Sequence, residues 1–143
     1  MGGILLAKVL SSAVIGIDAH LVEVEVDISQ GLPSFTTVGL PEASVKESKE
    51  RVKSAINNSG YEFSFDRITV NLAPAGIKKE GTGFDLPVAL GILCASGIIS
   101  QNELTKYMIL GELSLDGRVK PVKGSLPMAI TAKKAGYDGI IVP

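Results

Sequence analysis

The sequence predicts an α+β domain with a mixed sheet packed with helices, and three observations carry that reading. Residues 21–28, Leu-Val-Glu-Val-Glu-Val-Asp-Ile, alternate apolar and acidic side chains with the two-residue period of a half-buried strand. From Glu42 the apolar spacing lengthens to that of a helix. Asp116-Gly117, set between alternating apolar residues, marks a hairpin with a primed turn.

In chain order, the apolar stretch from Ile4 to Ile17 reads as a strand. Residues 21–28 form a second strand, Gly31-Leu32-Pro33 turns the chain, and Phe35-Thr36-Thr37-Val38 forms a third that ends at Gly39 and Pro41. An antiparallel meander is the simplest arrangement of the three. Ala43, Val45 or Lys46, Val52, Ala55 and Ile56 then make a narrow apolar stripe on one helix of about four turns, with Glu42 at its start and Gly60 past its end.

Residues 67–72 read as a strand closed by Pro74-Ala75-Gly76. Asp85 offers an N-cap to a helix over 85–97 that is apolar on nearly every face and so predicted to be buried. Residues 100–106 suit a short polar helical turn before a strand at 108–110. Ser125 offers an N-cap to a helix over 126–134, which Gly136 stops, and Ile140-Ile141-Val142 reads as a last buried strand.

Composition narrows the function. The 143 residues suit a single domain, 1–143, able to bury roughly 68–70% of its unfolded surface. A hydrophobic share of 45% against 20% charged excludes intrinsic disorder. Lys and Arg number 14 against 15 Asp and Glu, so any contact with a polyanion has to come from a local patch. One cysteine excludes an internal disulfide, and one histidine with no second cysteine leaves no recognisable metal set, so none is expected. Lys8 and Ser11-Ser12 interrupt the N-terminal apolar stretch below the ~20 residues of a membrane span, and a cytoplasmic setting is expected.

Local motifs are bland. Lys78-Lys79-Glu80-Gly81-Thr82-Gly83 precedes a helix and resembles an anion loop, yet the phosphate-loop pattern G-x-x-x-x-G-K-[ST] occurs nowhere. His20 beside Asp18 reads as structural or exposed, and Cys94 as an inert core thiol. Glu23, Glu25 and Asp27 read as a solvated face or a cation site.

A resemblance begins at Val24-Glu25-Val26-Asp27, Gly31-Leu32-Pro33, Val38-Gly39-Leu40-Pro41, Val45-Lys46-Glu47-Ser48 and Arg51-Val52. It continues through residues 68–75, Lys79-Glu80-Gly81, Phe84-Asp85-Leu86-Pro87, residues 110–117 and Leu126-Pro127-Met128-Ala129. These motifs, in order over nearly the whole chain, resemble the N-terminal domain of the ComM/YifB family of magnesium-chelatase-like AAA+ proteins. The resemblance implies a ribosomal protein S5 domain 2-like fold, shared with the proteolytic domain of Lon. It also implies an AAA+ ATPase module beyond Pro143.

The Lon comparison makes the chemistry specific. Lon-type proteases use a Ser nucleophile and a Lys that must reach it to take its proton. Laid over those segments, this sequence places Gly83 at the nucleophile position and Leu126 at the lysine position. No catalytic residue and no peptidase activity are therefore expected. The resemblance implies a non-catalytic domain of a homo-hexameric motor that acts on DNA in branch migration during recombination and natural transformation. ATP and Mg would belong to the ATPase module, with no cofactor in this chain. A protein-partner-binding pseudo-protease module is the alternative. Lys78, Lys79, Lys120 and Lys123 are the expected contacts to nucleic acid or a partner, because the Lon-like fold brings their two segments to one end of the sheet.

Overall fold

The computed structural model describes residues 5–15, 17–63, 66–122 and 125–142. Strands β1 (Leu5–Ile15) and β2 (Asp18–Ser29) pair antiparallel along their whole length, from Leu5 opposite Ile28 to Ile15 opposite Asp18. The predicted alternation decides the faces: Val22, Val24 and Val26 are buried, and the acidic residues between them are half-buried on the other side.

The third strand departs from the expected meander. β3 (Ser34–Val38) does not pair with β2; it lies parallel to β4 (Arg67–Ala73), which pairs antiparallel with β2. β4 buries Ile68, Val70 and Leu72 in alternation, whereas β3 has no fully buried side chain, so β4 takes the interior position and β3 the edge. With β5 (Tyr107–Ile109) and β8 (Gly139–Ile141), the sheet order is β3-β4-β2-β1-β5-β8, and β1-β5 and β5-β8 are parallel. β8 is an edge strand, and Ile141 is 39% exposed. This corrects the expectation of a buried last strand: Ile140 and Val142 pack on one face only.

The helix expected from Glu42 is interrupted. α1 (Ala43–Lys46) and α2 (Ser48–Asn58) meet at Glu47, where the Glu50 N–H bonds the Glu47 carbonyl three residues back and tightens the turn. Val45, Val52, Ala55 and Ile56 still form the buried stripe. α2 ends as predicted, with Gly60 at φ +91° and the Tyr61 N–H returning to the Ile56 carbonyl.

α3 (Asp85–Ala95) is the buried helix and lies with α2 on one face of the sheet, over Val9, Val24 and Val26. α4 (Gln101–Leu104) is the expected short turn. α5 (Ser125–Ala135) covers the opposite face, where Met128 and Ala132 meet Met108 and Leu110. The sheet thus separates two cores.

β6 (Glu112–Leu113) and β7 (Val119–Lys120) form the predicted hairpin, apart from the main sheet. Its turn is not primed. Ser114 and Arg118 close a three-residue loop in which only Gly117 has positive φ, at +92°. The single left-handed position after an ordinary turn suits Asp116, which keeps a normal backbone.

Candidate functional site

A cavity of about 670 Å³ opens at one end of the sheet. Its walls are the end of β1 (Ser12, Ala13, Val14), Ser44 of α1, the loop from Glu80 to Phe84, Leu110, and Pro121-Val122 after the hairpin. The two loop segments expected at the same end do adjoin. The Gly111 N–H donates to the Gly83 carbonyl at 2.8 Å and the Leu86 N–H donates to the Gly111 carbonyl at 3.0 Å, which ties the loop to the strand end. The Gly81 N–H donates to Ser44 Oγ at 2.9 Å and holds the loop to α1.

Gly83 forms part of this wall. A Cβ there would approach Leu110 Cδ1 at 2.6 Å, so a side chain would require the buried Leu110 to move. Leu126 is the second residue of α5, and its side chain lies outside the described residues.

The structure separates the four lysines. Lys78 is exposed and pairs with Glu42 at 3.1 Å; Lys120 is exposed and lies 3.9 Å from Glu112. Lys123 lies outside the described residues. Lys79 corrects the expectation of a solvated contact, because its side chain is fully buried and its ammonium donates to the carbonyls of Gly39, at 2.8 Å, and Pro74. Its backbone also bonds Leu40 and Glu42, closing the loop onto the end of β3. Burial lowers the Lys79 pKa. This geometry does not fit a nucleotide phosphate, since the loop's best-placed cation is already turned inward onto carbonyls.

Asp85 carries the second correction. It stands inside the first turn of α3, with Phe84 in the capping position, and caps nothing. Its fully buried carboxylate accepts Arg51 Nε at 2.6 Å, Arg51 Nη2 at 3.1 Å and the Leu113 N–H at 3.0 Å. The hydrogen bond to Asp85 raises the Arg51 pKa against the opposing effect of burial. Arg51 also donates to the Ser44 carbonyl at 3.2 Å, so α1, α2, α3 and β6 meet at one ion pair behind the cavity.

Sequence reasoning missed this junction because Arg51 and Asp85 are 34 residues apart. It also missed Ser12, whose buried Oγ takes no hydrogen-bond partner and lines the cavity; the only trace in the sequence is the Ser11-Ser12 break in an apolar strand. The bland readings of two other residues agree with the structure. His20 is exposed, and half-buried Cys94 has a pKa raised by desolvation. Among the described residues, no group of three or more His, Cys, Asp or Glu is placed to hold a metal ion, and no helix is long and apolar enough to cross a membrane.

A mixed sheet flanked on both faces by helices, with a glycine loop at one end joined to an Arg–Asp junction, defines a chelatase-type domain. Residues 24–143 match the family described as Subunit ChlI of Mg-chelatase, and the chain belongs to that family. It is 48% identical over 136 residues to the uncharacterized protein YifB of Escherichia coli K12, covering 95% of this chain and 27% of YifB. It is 46% identical over 136 residues to the competence protein ComM of Haemophilus influenzae Rd, with the same coverage. A weaker similarity, 29% identity over 85% of this chain and 24% of the relative, joins it to Lon protease 2 of Bacillus subtilis 168. The chain spans about a quarter of the length of YifB and ComM.

Proposed function

We propose that this chain is the non-catalytic N-terminal domain of a cytoplasmic magnesium-chelatase-like AAA+ ATPase that acts on DNA, as in ComM-like branch migration during recombination and natural transformation. The observation that carries this reading is the 46% identity to the competence protein over 95% of the chain, together with the ChlI match. The fold assigned is S5 domain 2-like. ATP and Mg belong to the module that follows, and a homo-hexamer is the assembly in which it works.

The geometry supports a non-catalytic role. Gly83 offers no nucleophile, and residue 126 is leucine where a peptidase of the Lon kind needs lysine. Within a ring, Lys78 and Lys120 of each copy would contribute weak contacts to a shared polyanion, multiplied by the number of copies. Lys123 belongs to the same proposed rim; Lys79 does not.

The test uses the full-length ATPase with Lys78, Lys120 and Lys123 changed to Glu. Affinity for branched DNA at low salt is expected to fall, with a shallower salt dependence. Unchanged affinity and slope would move this domain's role to subunit or partner contacts. For the 143-residue chain alone, calorimetric titration with ATP and Mg²⁺ is expected to be flat.

A further inference from the structure

The outer edge of β1 is closed in two different ways and then left open. At Lys8 the partner is a side chain: the Lys8 N–H donates to Gln101 Oε1, and Gln101 Nε2 donates to the Lys8 carbonyl, both at 2.8 Å. This primary amide reproduces the two-bond contact that a neighbouring strand would make. At Leu10 the partner is β5, through Met108. Backbone groups alternate sides along a strand, so Ser12 and Val14 present theirs to the same edge as Lys8 and Leu10. Among the described residues, no strand pairs with Ser12 or Val14 on that side.

This open edge forms one wall of the 670 Å³ cavity. Beside it stands Ser12, 3% exposed, with an Oγ that has no hydrogen-bond partner. A buried hydroxyl left without a partner is costly, and here it faces a space able to admit one. The remaining walls are mainly apolar, from Val14, Phe84, Leu110 and Val122, with Thr82 on the loop and Glu80 as the charged residue lining it. A polyanion is disfavoured by Glu80 and by the inward-turned Lys79.

We infer that the cavity captures a short extended segment of a partner polypeptide, which adds to the sheet beside Ser12–Ile15 and continues the ladder beyond β5. The edge is about 13 Å long, enough for about four residues at the strand rise. Backbone amides supply the affinity, and the apolar walls select small or branched apolar side chains without excess negative charge. The segment is held and not cleaved. This inference does not rest on the DNA reading, whose rim lysines lie outside the cavity.

The test titrates the protein into fluorescein-labelled, unfolded casein and follows anisotropy, with amide hydrogen exchange read on the same samples. Binding by about 100 µM protein is expected, with slowed exchange at Ser12 and Val14 and no casein fragments on a gel. Val14→Pro removes the outward N–H and is expected to weaken binding at least about tenfold. Thr82→Arg, which fills the cavity without touching β1, is expected to do the same and covers the case in which the proline variant fails to fold. No binding at this concentration, binding unaffected by Thr82→Arg, or protection confined to other strands would overturn the inference. So would protection of Ser12 and Val14 by single-stranded oligothymidine but not by casein. In every one of these outcomes the ATPase reading stays open to its own DNA test.

Discussion

Arg51 and Lys79 are two cations drawn out of solvent in the same half of the domain, and the fold treats them in opposite ways. Arg51 keeps a side chain 20% exposed and meets a fully buried carboxylate through two parallel hydrogen bonds. Lys79 is fully enclosed and meets only neutral carbonyls. Charge paired with charge retains its protons more firmly, and charge paired with dipoles holds them less firmly; the pKa of Arg51 moves up and that of Lys79 down. The first arrangement locks helices to a hairpin. The second fastens a loop to the end of a strand.

The largest effect should come from removing the carboxylate. Asp85→Ala leaves a partly buried guanidinium and the Leu113 N–H without their acceptor, and the loss is expected near 3 kcal/mol, at the low end for a broken buried pair because Arg51 can still reach water. Urea denaturation measures it, and a loss under about 1 kcal/mol would show that the junction is not held by its charges.

Lys79→Met comes next, at about 2 kcal/mol, because the carbonyls of Gly39 and Pro74 lose a shared donor while most of the packing volume is kept. The pH dependence gives a sharper discrimination. A pKa lowered by folding means that the folded protein binds fewer protons between its folded and unfolded values, so stability rises with pH across that window. The stability of the native protein relative to Lys79→Met should therefore increase as pH climbs toward 10.5, the ordinary lysine value. A flat difference would mean that Lys79 is not confined as described.

Gly83→Ser tests the cavity wall between these two regions. The nearest obstacle is the tip of Leu110, which can shift, so a cost of about 1 kcal/mol is expected, with no turnover of fluorogenic peptides. Turnover would place a lysine within reach of that position.

The smallest effect belongs to Asp116, an exposed residue held near a pKa of about 2, first by the Ser114 hydroxyl and then by Arg118. Because its folded value is depressed, its contribution to the hairpin is present above pH 4 and lost as pH falls toward 2. Proton-detected titration of the Arg118 amide, compared with Asp116→Asn, follows it. A transition near 4 would dissolve the assigned contacts.

What the sequence made legible was local. The Val22-Val24-Val26 alternation, the Gly60 stop and the apolar 85–97 helix each depend on neighbours within a few residues, and each is present in the fold. Pairing partners were not legible. β3 reads well as a strand, but its place beside β4 depends on β4 being the better-buried competitor for β2. Asp85 has the character of a cap, and a bidentate arginine on another helix outbids the single backbone bond that a cap would gain. Lys79 is a loop lysine by every local rule, and only the three-dimensional approach of Gly39 and Pro74 encloses it. The meeting of the 80–84 and 121–122 segments was legible through the family resemblance and not from periodicity.

The amide clasp between Gln101 and Lys8 spans 93 residues of chain. The β1–β2 pair that it protects is joined by a turn of only a few residues, so the pair can form early while the clasp must wait for a distant segment to arrive. During that interval the Lys8 end of the edge is bare, in the state in which strands join between molecules. Refolding yield should consequently fall as protein concentration rises, and Gln101→Ala should steepen that fall far more than it lowers the stability of the finished fold.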